Sequence, residues 1–77
     1  MGALSDNFSA RLKELMNKEP KTSQSVLAEN VGVTRQAINK YLNSPTLPDA
    51  HTLVRIADFF NVSVDWLLCR PRAEQTL

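Results

Sequence analysis

The sequence predicts an all-α domain of five short helices, on three observations. Apolar residues recur at helical spacing in every candidate segment, a capping residue stands in front of each, and no segment alternates strictly between apolar and polar. Gly32, Asn61 and four prolines fall where helices would have to end.

The first helix is expected from Asn7 to Lys18, behind a lead-in of residues 1–6 in which Ser5 or Asp6 caps the first turn. Phe8, Leu12, Leu15 and Met16 form its apolar face, Arg11, Lys13 and Glu14 are expected outward, and Pro20 stops it. The second runs from Gln24 to Val31 after the N-cap Ser23, with Leu27, Ala28 and Val31 inward and Gly32 at its end. Thr34 caps a third, Arg35 to Asn43, in which Ile38 and Leu42 are buried beside Ala37 and Tyr41. A loop from Ser44 to Pro48 follows, punctuated by Pro45 and Pro48. Asp49 begins the fourth helix, Ala50 to Phe60, with Leu53, Ile56, Ala57 and Phe60 inward and Asn61 suited to the left-handed position after it. Ser63 caps a fifth, Val64 to about Cys69; Pro71 ends it, and residues 71–77 read as a polar tail.

A chain of 77 residues makes one domain, here assigned to residues 7–70. At this size only about 60% of the unfolded surface is buried, and a staple is common. None is available: Cys69 is the single cysteine and His51 the single histidine, too few for a disulfide or a four-ligand zinc site. The expected support is helix packing, with no metal and no cofactor. A lone thiol, no apolar stretch long enough to span a membrane and no signal-peptide pattern point to the cytoplasm.

The net charge of +1 is small, but it is unevenly placed. Four basic and four acidic residues cancel over residues 1–33, whereas Arg35 and Lys40 stand without an acid over 34–48, and 49–77 carry one acid in excess. That basic segment is the third helix. It follows the second through Val31-Gly32-Val33-Thr34, a joint short enough to force a steep crossing of about 90–120°. Ala28 lets the two helices approach, and Val33 with Ile38 fills the corner between them.

The stretch QSVLAENVGVTRQAINKYLN, from Gln24 to Asn43, resembles the helix-turn-helix of the Cro and lambda-repressor family of bacterial and phage regulators. The resemblance extends over roughly residues 8–70, through Gln24, Leu27-Ala28, Gly32-Val33-Thr34, Pro48-Asp49, Asn61-Val62-Ser63 and Asp65-Trp66-Leu67 in order. Two positions depart from the family pattern. Asn43-Ser44 stands where a glycine often follows the third helix, so that asparagine would have to supply any left-handed exit, and Cys69 stands where glycine is common.

The resemblance implies a lambda-repressor-like fold and a sequence-specific regulator of transcription, a repressor bound as a homodimer to palindromic double-stranded DNA. It places the third helix in the major groove, so that Arg35, Gln36, Asn39 and Lys40 become base readers. Arginine suits guanine, and glutamine or asparagine suits adenine. Ser23, Gln24 and Thr34 at helix N-termini, with Asn43, Ser44 and Thr46 beyond the third helix, would then meet phosphates.

The same residues have plainer readings. Ser23 and Thr34 serve as caps in either case, Gln24 could be merely the first residue of its helix, and Tyr41 packs in the core or reaches a phosphate. Trp66 either closes the core or joins Phe59 and Leu68 in an apolar patch for a second subunit. His51 reads as a surface histidine, and the serines and Cys69 lack the partners that catalysis needs; no enzymatic activity is expected. The rival function is a protein-interaction module, or an antitoxin that uses these helices on a protein partner.

Overall fold

The computed structural model of the chain describes residues 3–44 and 46–69. Pro45, Arg70, Pro71 and the expected tail lie outside the described residues. Every regular element among those described is an α-helix: α1 Ala3–Asn17, α2 Gln24–Val31, α3 Arg35–Asn43, α4 Ala50–Phe60 and α5 Val64–Leu68.

Four of the five begin as the capping chemistry dictates. Ser23, Thr34, Asp49 and Ser63 each hold an extended backbone, and each side chain accepts the amide three residues on. Helix α1 differs from expectation. It starts at Ala3, so Ser5 and Asp6 lie inside it rather than capping it. Nothing in Ala3-Leu4-Ser5-Asp6 breaks a helix, and an acid in the first turn favours the positive end of the dipole. The helix stops at Asn17, ahead of Pro20.

The two left-handed exits anticipated for α2 and α4 are present. Gly32 sits at φ 83° and Asn61 at φ 59°. In each case the amide one residue further on returns to the last turn: Val33 N–H donates to Ala28 O and Val62 N–H to Ala57 O. Helix α3 does not end this way. Asn43 stays helical and Ser44 leaves in an extended conformation (φ −130°, ψ 150°), its amide donating to Lys40 O at 2.8 Å. An extended exit needs no glycine, which accounts for the residues found there.

One core is shared by all five helices, with Phe8, Leu12, Leu27, Ile38, Ile56 and Leu67 fully buried in it. Helix α1 packs on α3 and α5, α2 on α3 and α4, and α4 on α5. Two side-chain bonds tie α1 to helix ends that would otherwise leave carbonyls unmet. Ser9 Oγ donates to Leu42 O at 2.8 Å, at the end of α3, and Asn7 Nδ2 to Leu68 O at 3.0 Å, at the end of α5. The position of α3 is thus set from three sides: by its cap, by α2 and by Ser9.

Arg11 corrects the sequence reading. It is buried, not outward, with 5% of its surface exposed. Its position completes the i, i+3, i+4 face of Phe8 and Leu12, which turns the side chain toward α5. There the guanidinium lies 4.0 Å from the centre of the Trp66 ring and 3.4 Å from Glu14 Oε1. Stacking on the indole supplies a favourable surface for a weakly hydrated cation.

Candidate nucleic-acid interface

The α2–α3 corner is closed by packing. Leu27, Ala28 and Val31 from α2 are buried with Ile38 and Leu42 from α3, and Val33 packs against them in the turn. With Ile38 and Leu42 fixed inward, helical geometry points the opposite face of α3 to solvent. Arg35, Gln36, Asn39 and Lys40 are all exposed there. Among the described residues, the Arg35, Gln36 and Lys40 side chains have no intramolecular hydrogen bond or ion pair to satisfy them. They are free to meet an external ligand.

Asn39 is engaged differently. Its Nδ2 lies 3.5 Å from Gln24 Oε1 on α2, and its Oδ1 lies 3.2 Å from Asn43 Nδ2 one turn on. Asn43 Nδ2 also donates to Asn39 O at 3.0 Å. The expected phosphate ligand Asn43 therefore turns its donor back onto its own helix. Ser23 and Thr34 are exposed caps, their oxygens accepting the Val26 and Ala37 amides at 3.1 and 3.0 Å. Their hydroxyl hydrogens stay available. Ser44 and Thr46 are half-buried in the loop, joined by the Thr46 amide on Ser44 O at 2.7 Å.

Two residues that the sequence reading passed over border this face. A groove is lined by Lys13, Lys21, Ser23, Gln24 and Leu42, and a neighbouring one by Lys13, Ser9, Asn43 and Ser44, with Asp6 on its wall. Lys13 thus stands between the start of α2 and the end of α3. Sequence alone shows only a solvent-facing lysine, because Ser23, Gln24, Leu42 and Asn43 are ten or more residues away in the chain. Its one sequence signal is position: it lies one residue past the buried Leu12, on the side of α1 that flanks α3.

Tyr41 is half-buried, edge-on to Phe8 with ring centres 6.0 Å apart. Burial, then the nearby Asp49 carboxylate, holds its phenol above the ordinary value, so it is a neutral group at working pH. The Asp49 carboxyl is held below the usual carboxylate range, first by the Thr52 side chain and then by the Thr52 amide, which donates to it at 2.9 Å. His51 is exposed on α4, 3.4 Å from Arg55 and near enough to Asp49 to help lower its carboxyl.

The residues expected at a subunit contact are not equivalent. Phe59 is 37% exposed and meets Phe60 edge-on at 4.9 Å, so one ring of the pair faces inward and the other outward. Trp66 and Leu68 are half-buried against the core, with Arg11 over the indole. Trp66 accordingly closes the core. Among the described residues no helix is long and apolar enough to cross a membrane.

The helix-turn-helix family model matches residues 12–67, from the middle of α1 into α5. Two proteins of Bacillus subtilis (strain 168) are similar. YqaE, an uncharacterised HTH-type transcriptional regulator by name, is 38% identical over 61 residues, which are 79% of this chain and 52% of YqaE. YonR, an SPbeta prophage-derived HTH-type transcriptional regulator by name, is 36% identical over 67 residues, 87% of this chain and 61% of YonR. The chain spans between about half and three-fifths of these relatives' length. No solved structure matches with comparable significance.

Proposed function

We propose, for a chain that belongs to the Cro- and lambda-repressor-type helix-turn-helix family of transcriptional regulators, that it reads a specific operator through α3 and represses transcription from it. The observation that carries the reading is the exposed side of α3. Arg35, Gln36 and Lys40 stand there without a partner among the described residues, on a helix held by the buried α2–α3 corner and by Ser9. Arg35 and Gln36 in its first turn meet base edges in the major groove, and Lys40 reaches the bases or sugars one turn on. Gln24, Ser23, Thr34, Ser44 and Thr46 hold phosphates on either side, and Lys13 and Lys21 add charge to that grip.

The chain acts as a homodimer on a palindrome. A domain of net charge +1 gains little from backbone attraction alone, and two half-sites about 34–36 Å apart combine their affinities. Phe59 is the exposed anchor for pairing through α4 and α5, with Trp66 and Leu68 contributing the surface they still expose. Repression follows by occlusion of the promoter; no enzymatic step or cofactor enters the scheme, and the work is done in the cytoplasm.

The test is a pair of titrations across salt concentrations, on a duplex selected by the protein and on a scrambled duplex. The expected outcome is a preference on the order of 10³ for the selected site, with both affinities falling as salt rises. Equal affinities would reject base reading and favour a protein partner for this surface. Sedimentation of the parent and Phe59→Ser then checks the dimer: the variant is expected to shift toward monomer with its fold intact.

A further inference from the structure

The three carboxamides of Gln24, Asn39 and Asn43 form a chain with a fixed direction. Its origin is the backbone carbonyl of Asn39, which can only accept. The atom of Asn43 that lies 3.0 Å from it must therefore be the amide nitrogen. That nitrogen is also 3.2 Å from the Asn39 side chain, which must present its oxygen there. The Asn39 nitrogen is then the atom directed at Gln24, 3.5 Å away at the outer limit of a hydrogen bond, and Gln24 must meet it with its oxygen. Each orientation follows from the one before, so a flip of any amide would set two donors or two acceptors against each other. What remains at the far end is Gln24 Nε2, with no partner among the described residues, at the first position of α2 beside the Lys13 and Lys21 groove.

We propose that Asn43 and Asn39 are positioning residues, a relay that turns the donor end of the Gln24 carboxamide outward for a phosphate of the DNA backbone. A phosphate oxygen only accepts, so it binds Nε2 and is repelled by Oε1. Without the relay, the half-buried Gln24 could present either atom and would have to be ordered on binding. The inference rests on the DNA-binding reading above for the identity of the anion. It also reassigns Asn43, expected from sequence to touch a phosphate itself, and Asn39, expected to read a base, to an indirect role through Gln24.

Two measurements test the relay. In the free protein, Asn43→Ala is expected to shift the side-chain amide resonances of Gln24 as well as those of Asn39, with thermal stability retained. A Gln24 amide that does not move overturns the relay without reference to DNA. On a selected duplex, Asn43→Ala is expected to weaken binding about fivefold in the parent and less than twofold in a Gln24→Ala background. Equal losses in both backgrounds would mean that Asn43 contacts DNA on its own and would overturn the proposal. A parent that prefers no duplex sequence while its amides remain coupled would count against base reading and leave the relay standing.

Discussion

Gly32 stands at φ 83° with nothing within 4 Å of the place a Cβ would occupy. The glycine is required by backbone conformation, not by space. Gly32→Ala is therefore expected to cost about 1–2 kcal/mol, the left-handed penalty of an ordinary residue. Urea denaturation checks it, and an unchanged midpoint would show that the α2–α3 turn can adopt another geometry. At Asp49 the relevant variable is pH. Its carboxyl is held below the usual value by the Thr52 bonds, so its contribution is present above the ordinary carboxylate pKa and lost as pH falls through the lowered one. The parent is expected to be more stable than Asp49→Ala at neutral pH, and the two should converge in acid, once the pH has fallen through the lowered carboxyl pKa. A difference that persists in strong acid would mean that Asp49 acts by something other than its charge.

At the scale of the helices, the caps and stops were legible because they are local. Ser23, Gly32, Thr34, Asp49 and Asn61 each act within a few residues, so α2, α3 and α4 lie where the sequence places them. Helix α1 was legible in its apolar face and not at its start, since a capping residue inside a helix looks the same in sequence as one in front of it. Arg11 was misplaced because residue type outweighed position: its partner Trp66 lies on another helix, 55 positions along the chain by number. The contact makes a measurable claim. Arg11→Ala is expected to destabilise the fold by about 1–2 kcal/mol through lost stacking and packing, and to shift Trp66 emission to the red. Unchanged emission would place the indole out of reach of the guanidinium. The amide relay was hidden for the same reason, because it exists only once α2 and α3 cross.

At the scale of the molecule, the readable part of the proposed interface is the part carried by one helix. Arg35, Gln36, Asn39 and Lys40 could be named from the third helix alone, because burying Ile38 and Leu42 leaves them no other side. Lys13 and Lys21 could not, since α1 and the α1–α2 loop reach this face only through the packing of α1 on α3. The assembled surface joins a directional α3 to a flanking basic rim while Asp6 opposes it at one edge. On the proposed reading such a rim supplies attraction without sequence preference, and α3 supplies the preference.

Selection of bound sites from a random duplex library, with Arg35→Ala and Gln36→Ala run beside the parent, separates those two contributions. The expected result is a palindromic consensus for the parent that relaxes at defined, symmetric positions in each variant while the rest of the site is kept. A library that yields no consensus, or a consensus that neither variant alters, would contradict base reading by α3.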